Sequence, residues 1–314
     1  MNKCPMCHAS IDRARVLYDG IHSDREVESR IPIKQCAFCQ VVFSDYTPSQ
    51  NEALYSEGYY GEEVADKAVN SVAIRLFQQE RQRQALGNRR GGMILDIGCG
   101  DGTFLSHLSS AWEKWGYEPS ALGQEQVKRK KDIRFFDMEA VSLDVLFDVV
   151  TLWQVFEHVD DPKALLAKIR LVLKKEGVLF ISVPNFESFQ ARLFRGRWFH
   201  LDPIRHIFHY SPIRLKQLLT DAGFDVVGES TFSLEYGAFG WWQSSLNACG
   251  FEFNMMYKIL KKRKQYKRNF IFFAQVSFQW LISFFVLPLS FFLAVIDSIA
   301  GKGSIINLTL KARQ

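Results

Sequence analysis

The feature that most constrains this chain is a glycine-rich turn at residues 94–102, which reads Ile-Leu-Asp-Ile-Gly-Cys-Gly-Asp-Gly. An apolar run containing one acid, Asp96, leads into three glycines at alternate positions, Gly98, Gly100 and Gly102. This order predicts a buried strand, a tight turn and then a helix. Glycine suits the turn because it has no Cβ, so unusual dihedral angles are allowed and a ligand can approach the backbone. The N-terminus of the following helix offers free N–H groups to an anionic group.

Acidic residues follow the next two predicted strands. Glu118 lies twenty residues after Gly98, where a second parallel strand would end, and an acid there can accept hydrogen bonds from both hydroxyls of a ribose. Asp137 follows a third apolar strand, at a place where a carboxylate could reach an adenine amino group. A fourth strand, Phe147–Trp153, runs into Gln-Val-Phe-Glu-His-Val-Asp-Asp-Pro at 154–162. The pattern therefore predicts a nucleoside site at the carboxyl ends of parallel strands.

Together these segments resemble the class I S-adenosylmethionine-dependent methyltransferases, over residues 91–232 plus a short C-terminal strand. The resemblance implies an α/β fold with a doubly wound, seven-stranded sheet whose last strand is antiparallel, and it implies S-adenosylmethionine as cofactor. A nucleotide-binding fold without transferase chemistry is the alternative. The residues that we assign to the cofactor are Tyr60, Asp96, Gly98, Cys99, Gly100, Gly102, Glu118, Pro119, Asp137, Met138, Trp153 and Gln154.

Four of the six cysteines form two C-x2-C pairs that are separated by twenty-eight residues. Two such knuckles place four thiolates on one zinc ion, and a closed four-sulfur site is structural. His8 and His22 in the linker are possible substitute ligands. We expect a reducing, cytoplasmic setting, because Lys3 stands where a signal peptide would need an apolar run. The predicted zinc ligands are Cys4, Cys7, Cys36 and Cys39.

The chain divides into five segments by composition and pattern. They are a zinc-ribbon head (1–45), a linker and cofactor-covering helix (46–90), a methyltransferase domain (91–232 and 304–314), an acceptor lid within it (185–210) and an insertion (233–303). The covering helix is predicted over Lys67–Leu86, with a single apolar face. That face comprises Val69, Val72, Ala73, Leu76 and Phe77.

The insertion contains Phe270–Ile296, twenty-seven positions without a charged residue and with eight phenylalanines. A dense basic run precedes it, and Pro288 divides it into legs of which the second is too short to cross a bilayer. We therefore expect a bent helical hairpin that enters one leaflet of the cytoplasmic membrane face and returns. The expected partner of the basic run is an anionic membrane surface rather than nucleic acid. A buried helical pair or a dimer interface is the alternative.

Methyl transfer to an oxygen requires removal of the acceptor's proton, and histidine titrates near neutral pH. His158, just past the fourth strand, is the first candidate base, and His206 is the second. Packing or capping roles are the alternatives for both. In the lid, arginines are candidates to bind a phosphate or carboxylate and a tryptophan to stack on a sugar or ring. These lid residues are Arg195, Arg197, Arg205 and Trp198.

The segment Glu157–His158 also resembles part of a metal site in ubiquinone-biosynthesis O-methyltransferases. That pattern uses the acid at Asp148 as well, and its further acid is replaced here by Gln154, which argues against Mg²⁺. We expect O-methylation of a lipid-linked saccharide or another amphiphilic envelope precursor. A quinone-precursor O-methyltransferase and a non-catalytic membrane scaffold are the alternatives.

Overall fold

The computed structural model describes residues 1–24, 27–46, 72–138, 145–261 and 270–313. The chain forms two compact units, each assembled from three segments. Unit 1 contains Met1–Asn51, Pro184–Arg214 and Thr231–Ile306. Unit 2 contains Glu52–Val183, Leu215–Ser230 and Asn307–Gln314.

Eleven strands and nine α-helices occur in the described residues. The strands are β1 (Arg15–Asp24), β2 (Val27–Gln35), β3 (Val42–Ser44), β4 (Gly92–Ile97), β5 (Trp112–Tyr117), β6 (Ile133–Phe135), β7 (Phe147–Trp153), β8 (Leu173–Pro184), β9 (Phe208–His209), β10 (Phe224–Ser230) and β11 (Ile305–Ala312). The helices are α1 (Val72–Leu86), α2 (Thr103–Ser106), α3 (Ala121–Lys128), α4 (Pro162–Val172), α5 (Phe189–Phe194), α6 (Pro212–Asp221), α7 (Tyr236–Ala248), α8 (Met255–Leu260) and α9 (Phe270–Ile299).

Unit 2 is built on a seven-stranded sheet in the order β10-β11-β8-β7-β4-β5-β6. The neighbours of β4 and β7 in this sheet run parallel, and β11 pairs antiparallel with β10 from Phe224 opposite Ala312 to Ser230 opposite Asn307. This confirms the predicted sheet, including the return strand that follows a long insertion. The strands β4 and β7 are central and buried on both faces, as parallel strands covered by helices must be.

Local sequence signals mark the starts of two helices that flank this sheet. Asp161 caps α4 by accepting a hydrogen bond from the Ala164 N–H at 3.0 Å, and Pro162 occupies the first turn. Ser120 caps α3 in the same way. One prediction is wrong: Val72 and Leu76 of α1 are exposed, whereas the buried side chains of α1 include Gln78 and Glu80. The helical periodicity of the sequence predicts an apolar face, but α1 packs on the protein with a different face.

Unit 1 contains a second, antiparallel sheet in the order β1-β2-β3-β9. Its last strand comes from the predicted lid, because Val42 and Phe43 of β3 pair with His209 and Phe208. The head at 1–45 is therefore not a separate domain, and part of the predicted lid completes its sheet. The pairing joins residues more than 160 positions apart, which no local pattern could show.

The predicted hairpin at Phe270–Ile296 is instead one continuous helix, α9, thirty residues long with Pro288 inside it. It is the one helix of the described residues that is long and apolar enough to cross a membrane, by length and composition alone. The helix continues through Pro288 because residues on both sides of the proline pack on α7. Trp242 binds Ser283 before the proline, and Trp241 binds Asp297 after it.

Candidate functional site

The glycine turn lies at the carboxyl end of β4, where its backbone adopts the conformation that only glycine takes without strain. Gly98, Gly100 and Gly102 have φ of 71°, 57° and 73°. A Cβ on Gly98 would lie 2.4 Å from Cγ2 of Val155, so a larger residue could not fit there. The turn thus leaves backbone, without side chains, facing the end of the sheet, as predicted.

Glu118, just past the end of β5, is buried and holds the turn together. Its Oε2 accepts a hydrogen bond from the Gly100 N–H at 2.9 Å, and its Oε1 accepts from the N–H and the hydroxyl of Ser120 at 3.1 and 2.8 Å. Gly123 leaves room for this carboxylate, because a Cβ there would lie 2.4 Å from Glu118 Cγ. A carboxylate with these partners is fixed in position and can still accept further hydrogen bonds from a ribose.

Asp96, on the buried end of β4, accepts a hydrogen bond from the Thr151 hydroxyl at 2.6 Å. Burial raises the pKa of Asp96 to about 7, and the neighbouring charge of Glu118 also raises it, although Thr151 and the positive charge of Arg81 act in the opposite direction. Asp96 therefore changes its charge near neutral pH, next to the glycine turn.

Trp153 and Arg81 lie in contact near the glycine turn, and of the two only Trp153 is predicted from the sequence. The guanidinium of Arg81, on α1, lies 5.2 Å from the ring centre of Trp153, which packs between Phe104 and Phe180 at 5.5 and 4.5 Å. The Trp153 Nε1 is buried and has no hydrogen-bond partner among the described residues. Arg81 was missed because a single arginine on a helix carries no local signal.

The other residues that we predicted to bind the cofactor differ in how exposed their side chains are. Cys99 is buried and its Sγ faces Gly116, so the backbone of Cys99, not its thiol, belongs to the turn. Met138 is also buried, whereas Pro119 and Asp137 are exposed beside the ends of β5 and β6. The prediction for Tyr60 falls outside the described residues.

Gln154 follows β7 with a φ of 54°. Its N–H donates to the Ser182 carbonyl at 2.8 Å and its side-chain Nε2 donates to the Ser182 Oγ at 3.1 Å. These two bonds join the carboxyl ends of β7 and β8. They use the side chain of Gln154 inside the protein, and leave its role toward the cofactor as a prediction.

The turn, the fixed carboxylate and the buried indole N–H fit a nucleoside with a charged tail. Comparison with protein families supports this assignment, because a family described as a methyltransferase domain matches residues 69–229. The chain belongs to this methyltransferase family.

Individual relatives are similar to parts of the methyltransferase domain. A protein of Mycolicibacterium smegmatis, named a probable S-adenosylmethionine-dependent methyltransferase, is 29% identical over 161 residues, which are 49% of this chain and 60% of that protein. The mitochondrial ubiquinone biosynthesis O-methyltransferase of Candida albicans is 31% identical over 162 residues, 46% of this chain and 50% of that enzyme. The chain thus spans about half to three fifths of the length of these relatives. Coclaurine N-methyltransferase in its crystal structure is 17% identical, with a TM-score of 0.45, over 78% of this chain and 71% of that one.

His158 ends a short 3₁₀ turn that follows β7 of the methyltransferase domain. It is half-buried, and one of its ring nitrogens lies within 4.8 Å of a carboxylate oxygen of the buried Glu157. A carboxylate this close can interact electrostatically with an imidazole. The pair therefore has the composition of a general base with a positioning acid.

The magnesium pattern does not form around this pair. Asp148 lies at the opposite end of β7, about 17 Å of strand away from Trp153. Its Oδ2 accepts hydrogen bonds from the Met93 N–H and the Lys174 ammonium, both at 2.8 Å. Burial raises the pKa of Asp148, but these two partners outweigh burial and lower it overall. The suggestion that Asp148 joins Glu157 in a metal site is therefore wrong.

The structure of unit 1 shows that two of the lid predictions are wrong. Trp198 is fully buried in a cluster with Ile33 and Leu201, so it cannot stack on an acceptor. Arg205 donates from Nη1 to both carboxylate oxygens of Asp202, at 3.1 and 2.8 Å, so this carboxylate already holds its guanidinium. In both cases the side chain stabilises the unit that contains it.

Other lid residues have mixed placements. Arg197 donates to the Asn247 carbonyl at 2.9 Å, which joins it to α7, whereas Arg195 is exposed. His206 is buried, and its backbone N–H donates to the backbone carbonyl of Asp202. The centre of its ring lies 6.3 Å from the centre of the His209 ring. The acceptor role of Arg195 and the basic role of His206 remain predictions.

The four cysteines of unit 1 converge as predicted. Their Sγ atoms all lie within 4.8 Å of one another, and the Cys4–Cys39 and Cys7–Cys36 pairs are 3.7 Å apart. A tetrahedron of thiolates at about 2.3 Å from zinc has edges of about 3.8 Å, so the donor set fits this ion. The histidines in the linker are not needed as ligands.

The two knuckles repeat the same backbone geometry. In the first, the His8 N–H donates to the Cys4 carbonyl and the Cys4 N–H to the Ala9 carbonyl, at 2.9 and 2.8 Å. In the second, Gln40 and Cys36 make the equivalent bonds at 3.1 and 3.0 Å. The fourth residue after the first cysteine has positive φ in both knuckles, 58° at His8 and 60° at Gln40. The two C-x2-C segments therefore share one local fold, and their four thiols could hold a metal ion.

Proposed function

We propose that this chain is an S-adenosylmethionine-dependent methyltransferase. The observation that supports this most directly is the glycine turn held by the buried Glu118 carboxylate in a domain of the methyltransferase family. S-adenosylmethionine supplies an electrophilic methyl group on a sulfonium. Glu118 would accept hydrogen bonds from the ribose, the turn would allow close approach of the backbone, and Trp153 Nε1 would find a partner.

The proposed reaction is O-methylation, in which His158 accepts the proton of the acceptor hydroxyl. The new C–O bond forms as the C–S bond of the donor breaks, and S-adenosylhomocysteine leaves. Glu157 is proposed to hold the imidazole in position. Positioning of the hydroxyl in line with the C–S bond would supply much of the rate.

The proposed acceptor is a lipid-linked saccharide or a similar amphiphilic envelope precursor, methylated at the cytoplasmic face of the membrane. A long apolar helix in the same chain supports an acceptor that is itself partly apolar. The cysteine quartet is proposed to hold a structural zinc ion that stabilises unit 1.

A quinone precursor is the second candidate acceptor, because relatives named ubiquinone biosynthesis O-methyltransferases match the domain. Incubation of the purified protein with labelled S-adenosylmethionine and either lipid extracts or quinone precursors separates the two. We expect a product heavier by one methylene in the saccharide-lipid fraction. A labelled quinone precursor would select the second candidate.

Calorimetry with S-adenosylhomocysteine tests the proposal at its base. Binding at one site per chain is expected. Absence of binding would leave only the third possibility, a scaffold that keeps the fold without turnover.

A further inference from the structure

The long helix α9 turns its polar side toward the protein and its apolar side outward, which is the opposite of a helix that packs on a soluble core. Its buried side chains are small or polar: Gln279, Ser283, Ser290, Ala294 and Asp297. At roughly 100° per residue these five positions fall within a stripe about 60° wide. A helix that turned its apolar side toward a protein core would show the opposite arrangement.

The polar stripe packs on α7 and α8 of the same unit through specific hydrogen bonds. Trp242 Nε1 donates to Ser283 Oγ at 2.7 Å, and Trp241 Nε1 donates to the buried Asp297 carboxylate at 2.6 Å. Gln279 Nε2 contacts the sulfur of Met255 at 3.0 Å. These contacts are spread over eighteen residues of α9, about 27 Å of its length.

The opposite side of α9 exposes a wide apolar surface. Its exposed residues cover roughly 180° of the helix and extend over about 45 Å. Phe284 and Phe285, in the middle, are 75% and 68% exposed. The apolar face consists of Phe270, Ile271, Phe273, Phe278, Trp280, Leu281, Phe284, Phe285, Leu289, Phe291, Phe292, Val295, Ile296 and Ile299. A continuous surface of this kind marks an interaction site.

Charge in the sequence indicates what covers this apolar face. Seven lysines and arginines lie between Lys258 and Arg268, directly before α9, and no acid occurs from Phe253 to Ile296. A basic segment that directly precedes a phenylalanine-rich helix in the sequence complements an anionic bilayer, whose headgroups attract the cations and whose acyl chains accept the rings. A second copy of this chain would bring the same positive charge against it.

We propose that α9 lies in the plane of one leaflet of an anionic membrane, with its phenylalanine face in the acyl region, and does not span the bilayer. A spanning helix of about 20 residues would place the middle of α9 at the hydrocarbon centre. The middle of α9 is bonded to α7, and α8, which contacts Gln279, carries Lys258 paired with Glu252. Only an in-plane helix keeps these polar partners on the water side while it buries its outer face.

Vesicle flotation tests the proposal with the full chain and needs no activity. The wild type should float with vesicles of phosphatidylcholine and phosphatidylglycerol, and less with phosphatidylcholine alone or at high salt. Phe284→Asp combined with Phe285→Asp should lower the partition coefficient at least about tenfold. Ile213→Asp, an equally exposed residue at the start of α6, is the matched control and should float like the wild type. Equal flotation of both variants would overturn the proposal.

Labelling with a membrane-impermeant maleimide distinguishes an in-plane helix from a spanning one. The exposed Cys249 precedes α9, and Ala300→Cys places a second exposed thiol directly after it. Both should be modified from the same side of sealed vesicles. Modification from opposite sides would establish a span. A dimer that fails to float, and that Phe284→Asp converts to a monomer, would show instead that a second copy covers the face.

Discussion

Glu118 is a single side chain that stabilises the fold and that we also propose as a ligand-binding residue. It joins the glycine turn after β4 to the start of α3, through the N–H of Gly100 and both donors of Ser120. The same carboxylate is proposed to bind the ribose. Its loss would therefore remove a ligand contact and loosen the turn that shapes the cofactor site.

Glu118→Gln is expected to weaken binding of S-adenosylhomocysteine by about 1.5–3 kcal/mol, because charge-assisted hydrogen bonds are lost. Titration calorimetry measures the change. Glu125→Gln, on the exposed side of α3, is the control and should bind like the wild type. Unchanged affinity in Glu118→Gln would remove this residue from the ribose site.

Asp96 should make stability depend on pH in a direction opposite to most carboxylates. Its pKa is about 7 in the folded protein and near 4 when unfolded, so the folded state holds the proton more strongly. The stability that the protonated group contributes is complete below pH 4 and is lost as pH rises through 7. The loss amounts to on the order of 4 kcal/mol.

Asp96→Asn should therefore be more stable than the wild type at pH 8, and this advantage should shrink toward pH 5. Urea unfolding at both pH values provides the comparison. The amide keeps an oxygen for the Thr151 hydroxyl, so the variant isolates the charge. Parallel pH profiles for the two proteins would contradict the assignment.

At the scale of elements, α7 and α9 form a pair held by indole N–H groups rather than by an apolar seam alone. The early residues of α7 contact the late part of α9, as Gly237 does with Ala294, while Trp242 reaches Ser283 further back. The two helices are thus antiparallel. Polar contacts in such a pair specify which face of α9 points inward, and the phenylalanines are left outside.

Trp242→Phe removes the donor to Ser283 and should lower the free energy of unfolding by about 1–2 kcal/mol. Thermal unfolding in mild detergent measures the effect. Trp280→Phe makes the same chemical change on the half-exposed outer side of α9 and should leave stability within error. A comparable loss in both variants would show that the hydrogen bond to Ser283 is not what matters.

At the scale of the molecule, the cysteine quartet lies in a unit assembled from distant segments. Its ligands come from two knuckles, Cys4–Cys7 and Cys36–Cys39, and the sheet beside them is completed by β9 from residues 208–209. Zinc would therefore stabilise a unit in which the N-terminal head is joined to the segment after β8.

Cys36→Ser should abolish stoichiometric zinc and destabilise unit 1, because binding free energy of a structural zinc ion is also folding free energy. Metal analysis and unfolding monitored by tryptophan fluorescence test both effects. Cys249→Ser, an exposed cysteine outside the quartet, should retain metal and stability. Full zinc content in Cys36→Ser would contradict the four-thiolate site.

The glycine turn and the acid that follows β5 were predictable because their signals are local. The glycines must stand where the backbone turns with positive φ, and the acid must follow its strand. The burial of Trp198 and the ion pair of Arg205 were not predictable. A tryptophan or an arginine in a loop gives the same sequence pattern whether it binds a ligand or packs inside the protein. Arg205 is held by Asp202, and Trp198 packs in the cluster that contains Ile33. Both arrangements depend on the tertiary structure.

The glycine turn and the two cysteine knuckles were predictable from spacing within short stretches of chain, whereas the seven-stranded sheet was predicted through the resemblance to methyltransferases. Contacts between distant parts of the chain, which no local pattern shows, make β9 complete the N-terminal sheet and turn the polar stripe of α9 inward. The hydrophobicity of a helix sequence indicates how much apolar surface the helix must remove from water. The hydrogen bonds of Trp241 and Trp242 determine which side meets the protein and which side is left for another surface.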